Sequence, residues 1–285
     1  MESGDESTAW TIYWQNSLTG TGHCLPDAPR STRSALRSVW SALGERLVNA
    51  KVLDLGCGRG EVGLAILEAS PQSLVTGVDY ASLGPSPHPR LQFFSQTRIE
   101  QLPFPSCYFD GATSQFALEY AQWPSAIREV ARVLRPDAPF SLIAHHADSV
   151  VAEQAARRSM ALRSLVSKEV ERTLLEGDRA AFMKELEKIR ELTNSSQIVD
   201  EFAAGLGAFL NEPASRRPAL FGHVRNLARA ETAVLAALQR SIWDSSKFDQ
   251  RRAELAQFFT IVSASTLVTE NQRPLAWVLH MHRTA

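Results

Sequence analysis

The sequence predicts an α/β protein: a seven-stranded, mostly parallel sheet with helices on both faces, and an all-helical insertion before the last two strands. Three observations predict it. From residue 51 to 145 short apolar runs alternate with segments of helical period, and such alternation builds parallel strands covered on both faces. From about 148 to 244 every periodic segment is helical. Two runs of strand composition, 258–268 and 275–282, then follow on either side of a hairpin-like turn. A chain of 285 residues, 44% of them hydrophobic, is large enough to bury a full core.

Taken in order, residues 1–50 read as an irregular arm carrying Trp10, Tyr13 and Trp14, followed by a helix over 31–48 on which Leu36, Val39, Trp40, Leu43 and Leu47 share a face. Strands are expected over 51–55, 74–78, 91–94, 109–114 and 140–144, with helices over 62–68 and 123–134 between them. The insertion, 148–245, shows apolar stripes such as Leu162, Leu165, Val166 and Val170, then Phe182, Leu186 and Ile189, broken at Gly177-Asp178 and over 211–218. Residues 246–285 hold a short helix and the last two strands. The organisation expected is therefore an N-terminal arm and helix, an α/β core over 51–147, the insertion, and a closing strand pair.

Composition narrows the function. The formal net charge is −1, from 30 basic and 31 acidic residues, and neither sign forms a stripe in the insertion. No attraction to nucleic acid or to an anionic membrane is expected. Three cysteines, Cys24, Cys57 and Cys107, lie far apart and form neither a disulfide framework nor a metal spacing. The acidic start lacks the features of a signal peptide, so a cytoplasmic protein is expected.

The strongest local signal is Val52-Leu53-Asp54-Leu55-Gly56-Cys57-Gly58-Arg59-Gly60. A strand runs into a turn where alternate residues are glycine, which lets a ligand lie against bare backbone before a helix N-terminus. The stretch Gly58 to Gly63 also fits the dinucleotide pattern G-x-G-x-x-G, with Asp79 at the expected distance. Electrostatics separates the two readings. Asp54 would repel a pyrophosphate, whereas S-adenosylmethionine carries an ammonium and a sulfonium that a carboxylate helps hold.

The motif from Asp54 to Gly60 resembles the first motif of the class I S-adenosylmethionine-dependent methyltransferases. Gly77-Val78-Asp79 is similar to the next, Ile99 to Pro105 and Tyr108-Phe109-Asp110 to the adenine segment and fourth strand, and Arg128 to Pro136 to the helix and turn before the fifth. The resemblance covers 51–145 and departs from the family at Arg98, where many relatives have an aspartate, and at Pro136-Asp137-Ala138. It implies a Rossmann-like methyltransferase fold. It also implies cofactor contacts from Asp54, Gly56, Cys57, Gly58, Gly60, Asp79, Tyr80, Ile99, Glu100 and Gln115, with S-adenosylhomocysteine as product and no metal.

Substrate-pocket residues are expected at Tyr13, Trp14, Phe116, Glu119 and Tyr120. His145 and His146, at the end of the fifth strand, are candidates for a general base; adjacent strand residues point to opposite faces, so only one can serve. Expected partners are a small-molecule acceptor and, through the insertion if it is not a lid, a second copy of the chain. A protein or RNA acceptor, or a cofactor-binding regulatory or assembly subunit without turnover, are the alternatives.

Overall fold

The computed structural model describes residues 3–16, 30–194 and 196–285. Two helices precede the sheet, α1 (Ser3–Asn16) and α2 (Arg30–Gly44). The alternating segment then folds as β1 (Lys51–Leu55), α3 (Glu61–Ala69), β2 (Leu74–Val78), β3 (Leu91–Phe94), β4 (Gly111–Gln115), a 3-10 turn at Leu118–Tyr120, α4 (Trp123–Val133) and β5 (Pro139–His145). Helices α5 (Val150–Leu165), α6 (Lys168–Glu176), α7 (Arg179–Thr193), α8 (Ser196–Asn211), α9 (Arg217–Ser241) and α10 (Ser245–Leu255) follow, and β6 (Phe259–Val268) and β7 (Pro274–Arg283) close the chain.

The seven strands form one sheet in the order β3-β2-β1-β4-β5-β7-β6. Pairs from β3 to β5 are parallel, and β7 runs antiparallel to both β5 and β6. Val52, Leu53 and Leu55 are fully buried, as expected for a central parallel strand with both faces covered. Phe109, Leu118, Leu134, Phe140, Leu142 and Leu279 lie in the same core. The strand order reverses between β1 and β4, and in open α/β sheets the crevice at the carboxyl ends of such a pair is where ligands bind.

The chain divides into two compact units, residues 1–152 with 241–285, and residues 153–240. In the second, the breaks legible in the sequence are helix caps. The Ser167 side chain caps α6, which ends on the left-handed Gly177, and the Asp178 side chain caps α7. Phe182, Leu186, Val199, Leu206 and Phe221 are buried.

Two expectations are corrected. The arm carrying Trp10 and Trp14 is a helix, pinned by tertiary contacts: Ser7 Oγ donates to the Tyr80 carbonyl, the Ser82 amide donates to Thr11 Oγ1, and Arg59 donates to the Trp14 carbonyl. The fourth strand begins at Gly111 rather than Phe109. Asp110 accepts from the Lys51 amide at 2.8 Å and pairs with Arg135, and Phe109 makes only an isolated bridge to Leu134.

Candidate active site

The glycine turn is built by backbone geometry that side chains resist. Gly56, Gly58 and Gly60 all have positive φ, at 67°, 49° and 89°. The Gly56 and Cys57 amides both donate to the Val78 carbonyl, which ties the turn to the end of β2. A Cβ on Gly56 would lie 2.2 Å from the Ala117 Cβ, and one on Gly58 would lie 2.7 Å from the Trp14 ring. The open face of Gly58 is thus a shallow cradle over which α1 lays an indole. Gly60 precedes α3 without a side-chain cap, and the Gly63 amide in the first turn of that helix bonds to the Asp54 carboxylate.

Two carboxylates flank the turn. Asp54 is buried at 1% exposure. Its Oδ1 accepts from Thr113 Oγ1 at 3.0 Å, while Oδ2 has no partner among the described residues. Burial pushes its carboxyl up from 3.8 to about 7; bonds from Thr113 and the Gly63 amide oppose the rise, and the charge of Asp79 adds to it. Asp79 ends β2 and accepts from the Gly58 amide on Oδ2 at 2.9 Å and from the Ala81 amide on Oδ1 at 2.8 Å. The Tyr80 amide is a third donor, which leaves the carboxylate room for a further one. Burial raises its pKa too, against those backbone bonds.

The remaining expected cofactor residues are spread around this centre. Cys57 is buried, its Sγ packed against Gly77, and burial pushes its thiol well up, so it is a packing residue rather than a nucleophile. The Tyr80 ring lies beneath the Arg98 guanidinium at 4.9 Å, and Ile99 packs on the core edge. Glu100 turns its carboxylate to the Gln122 amide at the N-terminus of α4. Gln115 accepts from the Trp40 indole at 2.6 Å, which ties β4 to α2.

The end of β4 holds a second constellation. Phe116 sits at φ 54°, a conformation costly for a bulky side chain. Its amide donates to the Ile143 carbonyl, and Ser114 Oγ accepts from the Leu118 amide. The bend turns the chain into the 3-10 turn and carries Glu119 inward. Glu119 Oε1 accepts from the His145 amide at 3.0 Å and lies 2.6 Å from His145 Nδ1, while Glu119 Oε2 is buried without a hydrogen-bond partner among the described residues. The Phe116 ring lies 4.2 Å from the imidazole, and Tyr120 meets it edge-on at 5.9 Å.

The two adjacent histidines part company as strand geometry requires. His146 stacks on Trp277 at 4.2 Å, and its Nδ1 accepts from the Asp148 amide; burial lowers its pKa. Of the residues expected at the acceptor pocket, Phe116, Glu119 and Tyr120 gather round His145. Trp14 lies over Gly58 instead, and Trp10 takes the place against Tyr120 at 5.2 Å. The Tyr13 side chain lies outside the described residues. The pairing of Glu119 with His145 has no sequence signature, because the two are 26 positions apart. No group of three or more His, Cys, Asp or Glu side chains suited to a metal occurs among the described residues, and no helix there is long and apolar enough to cross a membrane.

Residues 52–137 match the family described as methyltransferase domain. An uncharacterized methyltransferase of Bacillus subtilis, YcgJ, is 33% identical over 107 residues, 34% of this chain and 41% of the relative. The secondary metabolism regulator laeA of Aspergillus fumigatus is 33% identical over 98 residues, 33% of this chain and 26% of the relative. The matches thus span less than half of either curated relative. Among solved structures, the Burkholderia thailandensis 1,6-didemethyltoxoflavin-N1-methyltransferase superposes with a TM-score of 0.49 at 15% identity, covering 98% of this chain and 90% of that one.

Proposed function

We propose that this chain, whose residues 52–137 match the methyltransferase domain family, is a class I S-adenosylmethionine-dependent methyltransferase that moves a methyl group onto an oxygen or nitrogen of a small organic acceptor. The observation that carries the reading is Asp54. A buried carboxylate with an orphan oxygen, at the strand end beside a glycine turn, suits a cationic ligand and opposes a pyrophosphate. The Gly58 cradle, which any Cβ would fill, and the paired oxygens of Asp79 suit the ribose half of the same ligand.

The cofactor brings a methyl already activated on a sulfonium. The chain has the remaining tasks: Asp54 offers charge to the cationic end, Asp79 accepts from ribose hydroxyls, and the turn amides fix the height of the ligand above the sheet. Alignment of nucleophile, carbon and sulfur then lowers the barrier by removing orientational freedom. A cofactor-binding regulator is the second reading, favoured by the partial likeness to laeA; it predicts the same binding with no turnover of any acceptor.

Calorimetry with S-adenosylmethionine and S-adenosylhomocysteine is the test of the cofactor reading. Asp79→Ala removes a charged acceptor and is expected to weaken binding by about 1.5–3 kcal/mol. Affinity also depends on pH. The Asp54 carboxyl stands near 7 in the free protein, and a bound cation lowers it, so the deprotonated form binds and protons are released. Affinity is therefore expected to rise about fivefold from pH 6 to pH 7, about tenfold by pH 8, and level off above, as linkage requires. An affinity flat over that range removes Asp54 from the contact.

A further inference from the structure

We propose that Glu119 and His145 form a base couple in which His145 Nε2 takes a proton from the acceptor, so that the acceptor is a planar molecule with a weakly acidic O–H or N–H, such as a phenol, an enol or a heteroaromatic N–H. The inference rests on the methyl-transfer reading and extends it to one acceptor class.

Four observations converge. First, Glu119 Oε1 already accepts from the His145 amide. Its 2.6 Å contact with Nδ1 therefore needs a proton on Nδ1, which leaves the lone pair on Nε2. Second, the pair is out of water, with side-chain exposures of 2% for His145 and 0% for Glu119. Glu119 Oε2 accepts no hydrogen bond among the described residues, although the carboxylate interacts electrostatically with Lys247; a buried oxygen without a hydrogen bond is costly, and such groups concentrate at functional sites. Third, the backbone is bent at Phe116, at φ 54°, and that bend carries Glu119 to its partner. Fourth, the walls about the imidazole are aromatic, Phe116 at 4.2 Å and Tyr120 at 5.9 Å, which favours a flat acceptor. Trp10 of α1 packs on Tyr120, so α1 must shift to admit one.

The step balances. The acceptor's X–H proton passes to Nε2, the freed electron pair of X forms the X–CH3 bond, and the C–S bond breaks with its pair going to sulfur, giving neutral S-adenosylhomocysteine. The imidazolium formed beside Glu119 makes a neutral pair, which a low-dielectric pocket tolerates better than a lone cation. His145 is thus the catalytic residue and Glu119 the positioning residue that fixes its tautomer. His146, stacked on Trp277 with Nδ1 already accepting, has neither role.

The test has two readouts. In protein labelled with 15N-histidine, one neutral imidazole is expected to carry its proton on Nδ1 in a strong hydrogen bond, and that signal is expected to vanish in H145A and to weaken in E119Q. A ring protonated on Nε2 at His145 overturns the proposal whether or not cofactor binds. Separately, S-adenosylhomocysteine release is followed with phenol, 4-methylphenol and 4-nitrophenol as probes. H145A is expected to lose roughly 10²–10⁴-fold in kcat with phenol, with KM and cofactor affinity unchanged. The loss should shrink with 4-nitrophenol, which ionises unaided, and added imidazole should restore part of the rate. E119Q, isosteric and safer for folding, should lower kcat in the same direction. Wild-type kcat in both variants, or no turnover of any probe by protein that binds cofactor, overturns the proposal; failure to bind cofactor counts instead against the methyl-transfer reading.

Discussion

Asp54→Asn should make the free protein more stable at pH 8 and at the same time cost it cofactor affinity. The native carboxyl is raised from 3.8 to about 7 by burial, so the folded state holds a proton that the unfolded chain has released. The stability tied to this group is present below the unfolded value and is lost as pH rises towards 7. A shift of that size corresponds to something on the order of 3–4 kcal/mol by pH 8. Asparagine keeps the Thr113 hydrogen bond and removes the charge. Thermal melts are expected to show a large gain for the variant at pH 8 and almost none at pH 4, while calorimetry shows weaker cofactor binding and no pH step between 6 and 8. A variant equally stable at both pH values contradicts the account of Asp54. Stability given up at a ligand site in this way is a common exchange of stability for function.

Gly58→Val should abolish measurable cofactor binding. At φ 49° a β-branched residue is strained, by roughly 1–2 kcal/mol for a left-handed position. More importantly, its Cβ would stand 2.7 Å from the Trp14 ring, and with that ring moved aside the side chain would occupy the face proposed for the ligand. Stability is expected to fall modestly, because Trp14 belongs to a peripheral helix that can shift, while binding is lost outright. Normal binding in a folded Gly58→Val protein would show that the turn is not the cradle.

Much of this was legible in the residues. The parallel strands were readable because a strand with both faces covered must be a continuous apolar run, as in Val52, Leu53 and Leu55. The glycine turn was readable because three close positive-φ positions leave few other choices. Helix α1 was not readable: Trp10, Thr11, Ile12 and Tyr13 are poor helix formers in sequence, and contacts from Tyr80, Ser82 and Arg59 hold the helix instead. Nor did local sequence reveal what Glu100 does, since its partner is an amide 22 positions away. Strand alternation predicted that His145 and His146 would face apart. Which of them meets a carboxylate depended on the bend at Phe116, and a positive φ at a phenylalanine has no sequence signal.

On the proposed reading, the crevice between β1 and β4 takes a cationic nucleoside rather than a dinucleotide. Isothermal titration at pH 8 decides it, with S-adenosylmethionine, S-adenosylhomocysteine and NAD titrated in turn into the wild-type protein. Saturable binding of both adenosyl ligands is expected, weakened by Asp79→Ala, with no heat from NAD beyond dilution. Binding of NAD with none of S-adenosylmethionine would contradict it.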